Sequence, residues 1–167
     1  AYYAEIPSVF FIIQRGGPST GLPTRTQQSD ISLMYGASHG DTRHIILIPH
    51  DMNSCFDFAR QSFNYADRFQ TPVFVAMDLD LGMNMWSSEP LKLTQEPFDY
   101  GKRLDAEQLE EWMKAGKKFR RYFDQDGDGI PYRTVPGDGL PPYFTRGSGH
   151  NEQALYSERA DDYVKNL

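Results

Sequence analysis

Val9-Phe10-Phe11-Ile12-Ile13-Gln14-Arg15-Gly16-Gly17-Pro18-Ser19-Thr20-Gly21-Leu22-Pro23-Thr24-Arg25-Thr26 is the stretch whose reading decides the fold. Its opening run, Ile6 to Ile13 in all, reads as a strand, and unbroken apolar character implies burial on both faces, as in a parallel sheet. After the turn, Gln27 to Ala37 reads as a helix with Ile31, Leu33 and Met34 as its apolar residues and Gly40 as its stop. A glycine-rich turn between strand and helix is where α/β proteins place anions, because backbone N–H groups converge there and the helix dipole favours negative charge. From Arg15 to Arg25, eleven residues hold two arginines, three hydroxyls and three glycines.

Outward from the loop the same alternation continues. His44 to Pro49 reads as a second strand. Cys55 to Phe69 has apolar residues mostly three and four apart, which predicts an amphipathic helix capped by Asn53 or Ser54. Thr71-Pro72 ends it, and Val73 to Met77 reads as a third strand. Strand–helix–strand–helix–strand order implies a parallel sheet, with functional loops at its carboxyl edge: Gln14 to Thr26, Pro49 to Ser54 and Asp78 to Trp86. Beyond Asp78 the pattern breaks down. Leu104 to Lys117 suits a helix with Asp105 as N-cap, and Phe123 to Gly149 is a Gly/Pro/Asp-rich stretch with little room for regular structure. Its tyrosines and phenylalanines separate it from a disordered linker and point to an ordered extension lying on another domain or subunit. The expected division is an α/β domain over 1–88 and an extension over 89–167. The chain opens without Met and enters a strand almost at once, as an excised piece does, so the natural protein is expected to continue upstream with part of the sheet.

Composition narrows the function. A net charge of −6 without a long basic stripe speaks against a nucleic-acid partner. No apolar run approaches the ~20 residues that span a bilayer, so no membrane role is expected. Cys55 is the single cysteine, which rules out an intrachain disulfide or a cluster ligated by this chain's cysteines alone. It reads as a packing residue on its helix, and the low cysteine usage fits a reducing cytoplasm.

Arg15 stands where the strand gives way to the turn, and a guanidinium there can hold a carboxylate or phosphate through two parallel hydrogen bonds. Gly16, Gly17, Ser19 and Thr20 can add backbone and hydroxyl donors. The alternative is an exposed arginine on a turn that the glycines merely permit. No Gly-Lys-Ser/Thr follows and no GxGxxG spacing is present, so nucleotide loops are excluded. Asp124, Asp126 and Asp128 alternate ahead of glycines like the start of a calcium loop, but Val135 holds the twelfth position where the bidentate Glu belongs. The competing reading is an Asp/Gly turn whose carboxylates accept backbone hydrogen bonds. His39, His44, His50 and His150 are dispersed without metal-ligand spacing. Asp78 and Asp80 suit helix capping better than general acid–base work.

Several of these stretches together resemble one family. They are Ala4-Glu5-Ile6-Pro7, QRGGPSTGLPTRTQQSD from Gln14, Ser38-His39-Gly40-Asp41, QTPVFV from Gln70, DLDLGMNM from Asp78, DGDGIPYRT from Asp126, YFTRGSGH from Tyr143 and Tyr156-Ser157-Glu158. In them the chain resembles the alpha subunit of 2-oxoacid:ferredoxin oxidoreductases, especially the 2-oxoglutarate type. The resemblance implies the later part of a pyrimidine-type thiamine-diphosphate domain followed by an interface-forming extension. It implies oxidative decarboxylation of a 2-oxoacid to an acyl-CoA, with coenzyme A as co-substrate and electrons passed to ferredoxin. It places thiamine diphosphate, Mg2+ and the iron–sulfur cluster mainly on a partner beta subunit. It matches Arg15 to a substrate-carboxylate arginine. The family's Tyr-Pro-Ile-Thr-Pro loop and cofactor-activating Glu do not occur in this stretch, so the piece is expected to be inactive alone. A subunit-interface module and a calcium-binding module are the rival readings.

Overall fold

The computed structural model describes residues 1–143 and 147–166, so part of the YFTRGSGH stretch lies outside the described residues. The chain divides into two compact units, Ala1–Asp99 and Tyr100–Leu167.

The first unit is built on three parallel strands, β1 (Ser8–Gln14), β2 (Ile45–Leu47) and β3 (Pro72–Asp78), in the order β1-β3-β2. Register runs from Ser8↔Pro72 to Gln14↔Asp78 on one side of β3 and from Ile45↔Val73 to Leu47↔Val75 on the other. The expected parallel sheet is therefore present. Its centre is β3, the last strand in sequence. Val73, Val75 and Ala76 are 0%, 1% and 1% exposed, and alternate side chains point to opposite faces, so β3 is covered on both. On one face Phe74 and Ala76 meet Met34, with Ile12, Ala37 and Ile46 around them.

β1 departs from expectation. Phe10, Phe11 and Ile13 are 44%, 47% and 39% exposed. The apolar run suits a doubly covered strand, but β1 is the edge of this sheet, and only β3 pairs with it.

Helices α1 (Ile31–Tyr35) and α2 (Met52–Phe69) connect the strands, α1 lying against β2 and α2 against β3 and β1. The cap of α2 is Asp51, one turn earlier than the expected start at Cys55. Its carboxylate accepts from the Ser54 backbone N–H at 2.7 Å while the Ser54 hydroxyl accepts from the Asp51 N–H at 3.0 Å, a reciprocal box that satisfies two orphan donors. Asp78 caps α3 (Leu79–Met83), accepting from Leu81 N–H at 2.8 Å.

The second unit has two helices, α4 (Ala106–Lys114) and α5 (Ala160–Lys165), and no strand longer than an isolated bridge among the described residues. Asp105 caps α4 as expected, accepting from Gln108 N–H at 2.8 Å. Leu104 and Leu109 supply a small apolar centre, and Arg121 and His150 are buried beside hydrophobic residues at 2% exposure each. Aromatic faces take up the cations: Arg121 lies 4.7 Å over Tyr122 and Arg120 lies 3.5 Å over Phe123. Arg103 grips Asp138 through two nitrogens at 2.8–3.2 Å, and Glu152 accepts from both Arg120 and Lys165.

Candidate functional site

Parallel pairing brings the ends of β1 and β3 level, so the Arg15 loop starts beside the cap of α3. The loop is tied to itself. Leu22 N–H donates to the Gly16 carbonyl at 3.2 Å, Gly16 N–H to the Arg25 carbonyl at 3.3 Å and Gly21 N–H to the Pro18 carbonyl at 3.2 Å. The Gly17–Pro18 peptide is cis, and Ser19 takes a left-handed φ of 57°. Gly16 is buried, and a Cβ there would meet the Leu22 Cβ at 3.0 Å, so close approach of the two loop arms requires glycine.

These bonds revise the expected anion cradle in two respects. The Gly16 N–H is engaged inside the loop and does not face a ligand. The helix after the loop begins at Ile31 and not at Gln27, because the loop closes on Arg25 and the next four residues, 26–29, carry the chain to Asp30. Asp30 N–H approaches the buried Gln14 Oε1 at 3.4 Å. A five-residue helix headed by an aspartate adds little positive potential.

What remains of the predicted set is a half-buried Arg15 beside exposed Gly17, Ser19 and Thr20. The Arg15 guanidinium makes no hydrogen bond or ion pair among the described residues, so its five donors are available to a planar anion. The Thr26 hydroxyl oxygen is buried without a hydrogen-bond partner, a feature that the spacing of the loop does not reveal.

Around the same sheet edge lies a cleft of about 410 Å³ lined by Asp51, Met52, Asn53, Ser87, Ser88 and Glu89. The turn before α2 is legible in the sequence as a functional loop, but its second wall is not, since 87–89 belong to no regular element. Asp51 is held below the usual carboxylate range by its side-chain and backbone hydrogen bonds with Ser54. Burial, with Asp51 and Asp78 nearby, pushes the Cys55 thiol up, which makes it a poor nucleophile.

The dispersed residues stay dispersed. His39 and His50 are exposed. His44 is buried, with Nε2 2.7 Å from the Ala37 carbonyl, and His150 belongs to the second unit. Asp124, Asp126 and Asp128 lie in an Asp/Gly turn, the competing reading of this stretch. Asp124 accepts backbone N–H groups of residues 126–129, and the Lys102 ammonium sits 2.9 Å from Asp126 and 2.6 Å from Asp128. Among the described residues no group of three or more His, Cys, Asp or Glu side chains is placed to hold a metal. No helix of the described residues is long and apolar enough to cross a membrane.

The open parallel α/β sheet, with the Arg15 loop at its carboxyl edge, defines a class of domain whose ligands bind at that edge. Within that class the chain belongs to the family described as pyruvate flavodoxin/ferredoxin oxidoreductase, thiamine diphosphate-binding, which matches residues 1–121. It is 46% identical over 163 residues to the 2-oxoacid:ferredoxin oxidoreductase 1 subunit alpha of Aeropyrum pernix, covering 98% of this chain and 24% of that protein. It is 43% identical over 139 residues to the 2-oxoglutarate synthase subunit KorA of Methanothermobacter thermautotrophicus, covering 83% of this chain and 34% of that protein. Among solved structures, the 2-oxoglutarate:ferredoxin oxidoreductase of Magnetococcus marinus, with 2-oxoglutarate, coenzyme A and succinyl-CoA bound, superimposes with a TM-score of 0.77 at 26% identity. That match covers 99% of this chain and 28% of the other. The chain thus spans about a quarter to a third of the length of these three proteins.

Proposed function

We propose that this chain is part of the alpha subunit of a thiamine-diphosphate-dependent 2-oxoacid:ferredoxin oxidoreductase, and that Arg15 holds the substrate carboxylate. The single observation that carries the assignment is a half-buried Arg15 at the carboxyl end of β1 with no hydrogen bond or ion pair from its guanidinium among the described residues. Gly17, Ser19 and Thr20 shape the exposed side of the same pocket, and Gly16 keeps the loop arms close enough to hold Arg15 at its base. The names of the relatives support 2-oxoglutarate as the substrate, with coenzyme A as co-substrate and ferredoxin as electron acceptor. The family resemblance assigns magnesium, diphosphate and cluster chemistry mainly to the beta subunit, and the single cysteine of this stretch supports that division. Bound there, thiamine diphosphate supplies the carbanion chemistry of decarboxylation; this chain's own part is to bind and orient the acid.

A two-point contact to a charged group contributes about 1.5–3 kcal/mol. Arg15→Ala in the whole enzyme is expected to lower kcat/KM for the 2-oxoacid by about tenfold or more, and Arg15→Lys to recover only part of it. Unchanged kinetics across several 2-oxoacids would sink the assignment.

The second unit supports a companion reading as a subunit-interface module. Its irregular backbone is held by many specific contacts and still exposes Met113, Leu155, Tyr156, Tyr163 and Val164.

A further inference from the structure

Helix α4 ends in a tight reversal. Ala115 N–H donates to the Glu111 carbonyl at 3.0 Å, Gly116 N–H to Met113 at 3.1 Å and Lys117 N–H to Trp112 at 2.9 Å. Gly116 has φ +73°, a value that favours glycine, and no atom lies within 4 Å of a Cβ built there, so backbone conformation sets the requirement and not space. The reversal brings Lys117 and Lys118 alongside the Leu109 and Met113 side of α4. Phe119 and Pro141 close a groove of about 380 Å³.

The groove floor is apolar and its rim is cationic. Met113 remains 68% exposed above the buried Leu109. Lys117 and Lys118 have no carboxylate partner among the described residues; Lys117 lies 5.5 Å over the Trp112 ring. The other lysines of this unit all have one: Lys102 pairs with Asp126 and Asp128, Lys114 with Glu110, and Lys165 with Glu152. In a chain of net charge −6, carboxylates are plentiful, yet two adjacent ammonium groups beside this apolar groove are left without them among the described residues. Interfaces pair a desolvated apolar centre with a polar rim of complementary charge. A small free anion fits poorly, because the floor offers it no donors and both lysines are solvated.

We propose that this groove docks an acidic segment of a partner subunit, with one large apolar side chain seated against Leu109, Met113 and Phe119 and flanking carboxylates paired with Lys117 and Lys118. The inference rests on the reading of the chain as one subunit of a multi-subunit oxidoreductase, and adds where and by what chemistry a partner attaches.

The test uses the full-length alpha subunit, alone and assembled with its partner subunits. Acetylation by acetic anhydride, read by mass spectrometry, is expected to fall at least fivefold at Lys117 and Lys118 on assembly. Carbodiimide, which couples amines to adjacent carboxylates, is expected to join Lys117 or Lys118 to an Asp or Glu of a partner subunit. Lys117→Glu with Lys118→Glu is expected to weaken assembly tenfold or more, as is Met113→Glu at its exposed position, while Lys92→Glu on the first unit leaves it unchanged. An assembled, active enzyme whose Lys117 and Lys118 react as in the free subunit overturns the docking proposal alone. Cross-links only to this polypeptide or to a second copy of it, or equal weakening by Lys92→Glu, overturn it as well. Failure of any partner subunit to associate overturns both this proposal and the functional reading beneath it.

Discussion

The two units of this chain solve the same problem with different materials. The first hides its backbone in a parallel sheet and buries β3 on both faces with valine, alanine and phenylalanine. The second has about two-thirds as many residues and no sheet among those described, and its buried residues include an arginine and a histidine. A small unit cannot bury enough apolar surface for its size, so specific polar contacts must supplement the core. Lys102 in the Asp turn, Arg103 on Asp138 and Arg121 over Tyr122 serve that purpose. The lesson is that irregular backbone is not loose backbone when specific polar and aromatic contacts hold it. Such a unit is instead sensitive to proton concentration, where the sheet is sensitive to side-chain volume and charge.

The sharpest way to break the comparison is to charge the sheet. Val75→Asp puts a carboxylate at a position that is 1% exposed with no partner. It should cost about 4 kcal/mol or more and abolish the cooperative unfolding of the first unit, measured by hydrogen exchange across 1–99. Retained protection in β1 and β3 would mean that the sheet is not the first unit's foundation.

Acid probes the other side. Backbone N–H groups, that of Gly129 foremost, hold the Asp124 carboxyl below its ordinary range, and Lys102 does the same for Asp126 and Asp128. Burial pushes the His150 imidazole down from its ordinary 6.5. Both shifts have the same sign for stability: the unfolded chain binds the extra protons, so the contribution is present at neutral pH and lost on acidification. His150 starts that loss as pH falls below about 6.5, and the aspartates continue it below about 4. Burial opposes the Lys102 charge, but hydrogen bonds to Asp128 and Asp126 prevail and raise its pKa, so its contribution is lost only in strong alkali. Lowering pH from 7 to 3.5 should therefore reduce exchange protection in 100–166 before it does so in the strands. Simultaneous loss in both units would erase the distinction drawn between them.

The smallest effect tests local capping within the second unit. Asp105→Ala removes the acceptor of the Gln108 N–H and should cost about 1 kcal/mol, read as a lower urea midpoint for α4. No change would mean that packing of Leu109 alone holds the helix.

Much of the architecture was legible because periodicity is a local property. The three strands, the long α2 and the Asp105 cap follow from spacing and cap chemistry within a few residues. The Arg15 loop was legible for the same reason, with two arginines and three glycines concentrated after a strand. The resemblance to the oxidoreductase family rested on such local stretches, and the family match over residues 1–121 agrees with it.

The sequence by itself determined which segments are strands, that they run parallel, and that an arginine stands where a strand ends. Tertiary structure alone decided that β3 occupies the centre and β1 the edge, because strand order depends on which chain segments meet and not on their composition. It decided that Gly16 spends its N–H inside the loop while Arg15 remains available, since hydrogen-bond partners up to nine residues apart are chosen by the fold of the turn. It also decided that a lysine 22 or more residues earlier fills the Asp124–Asp128 turn, which no reading of the aspartates alone reveals.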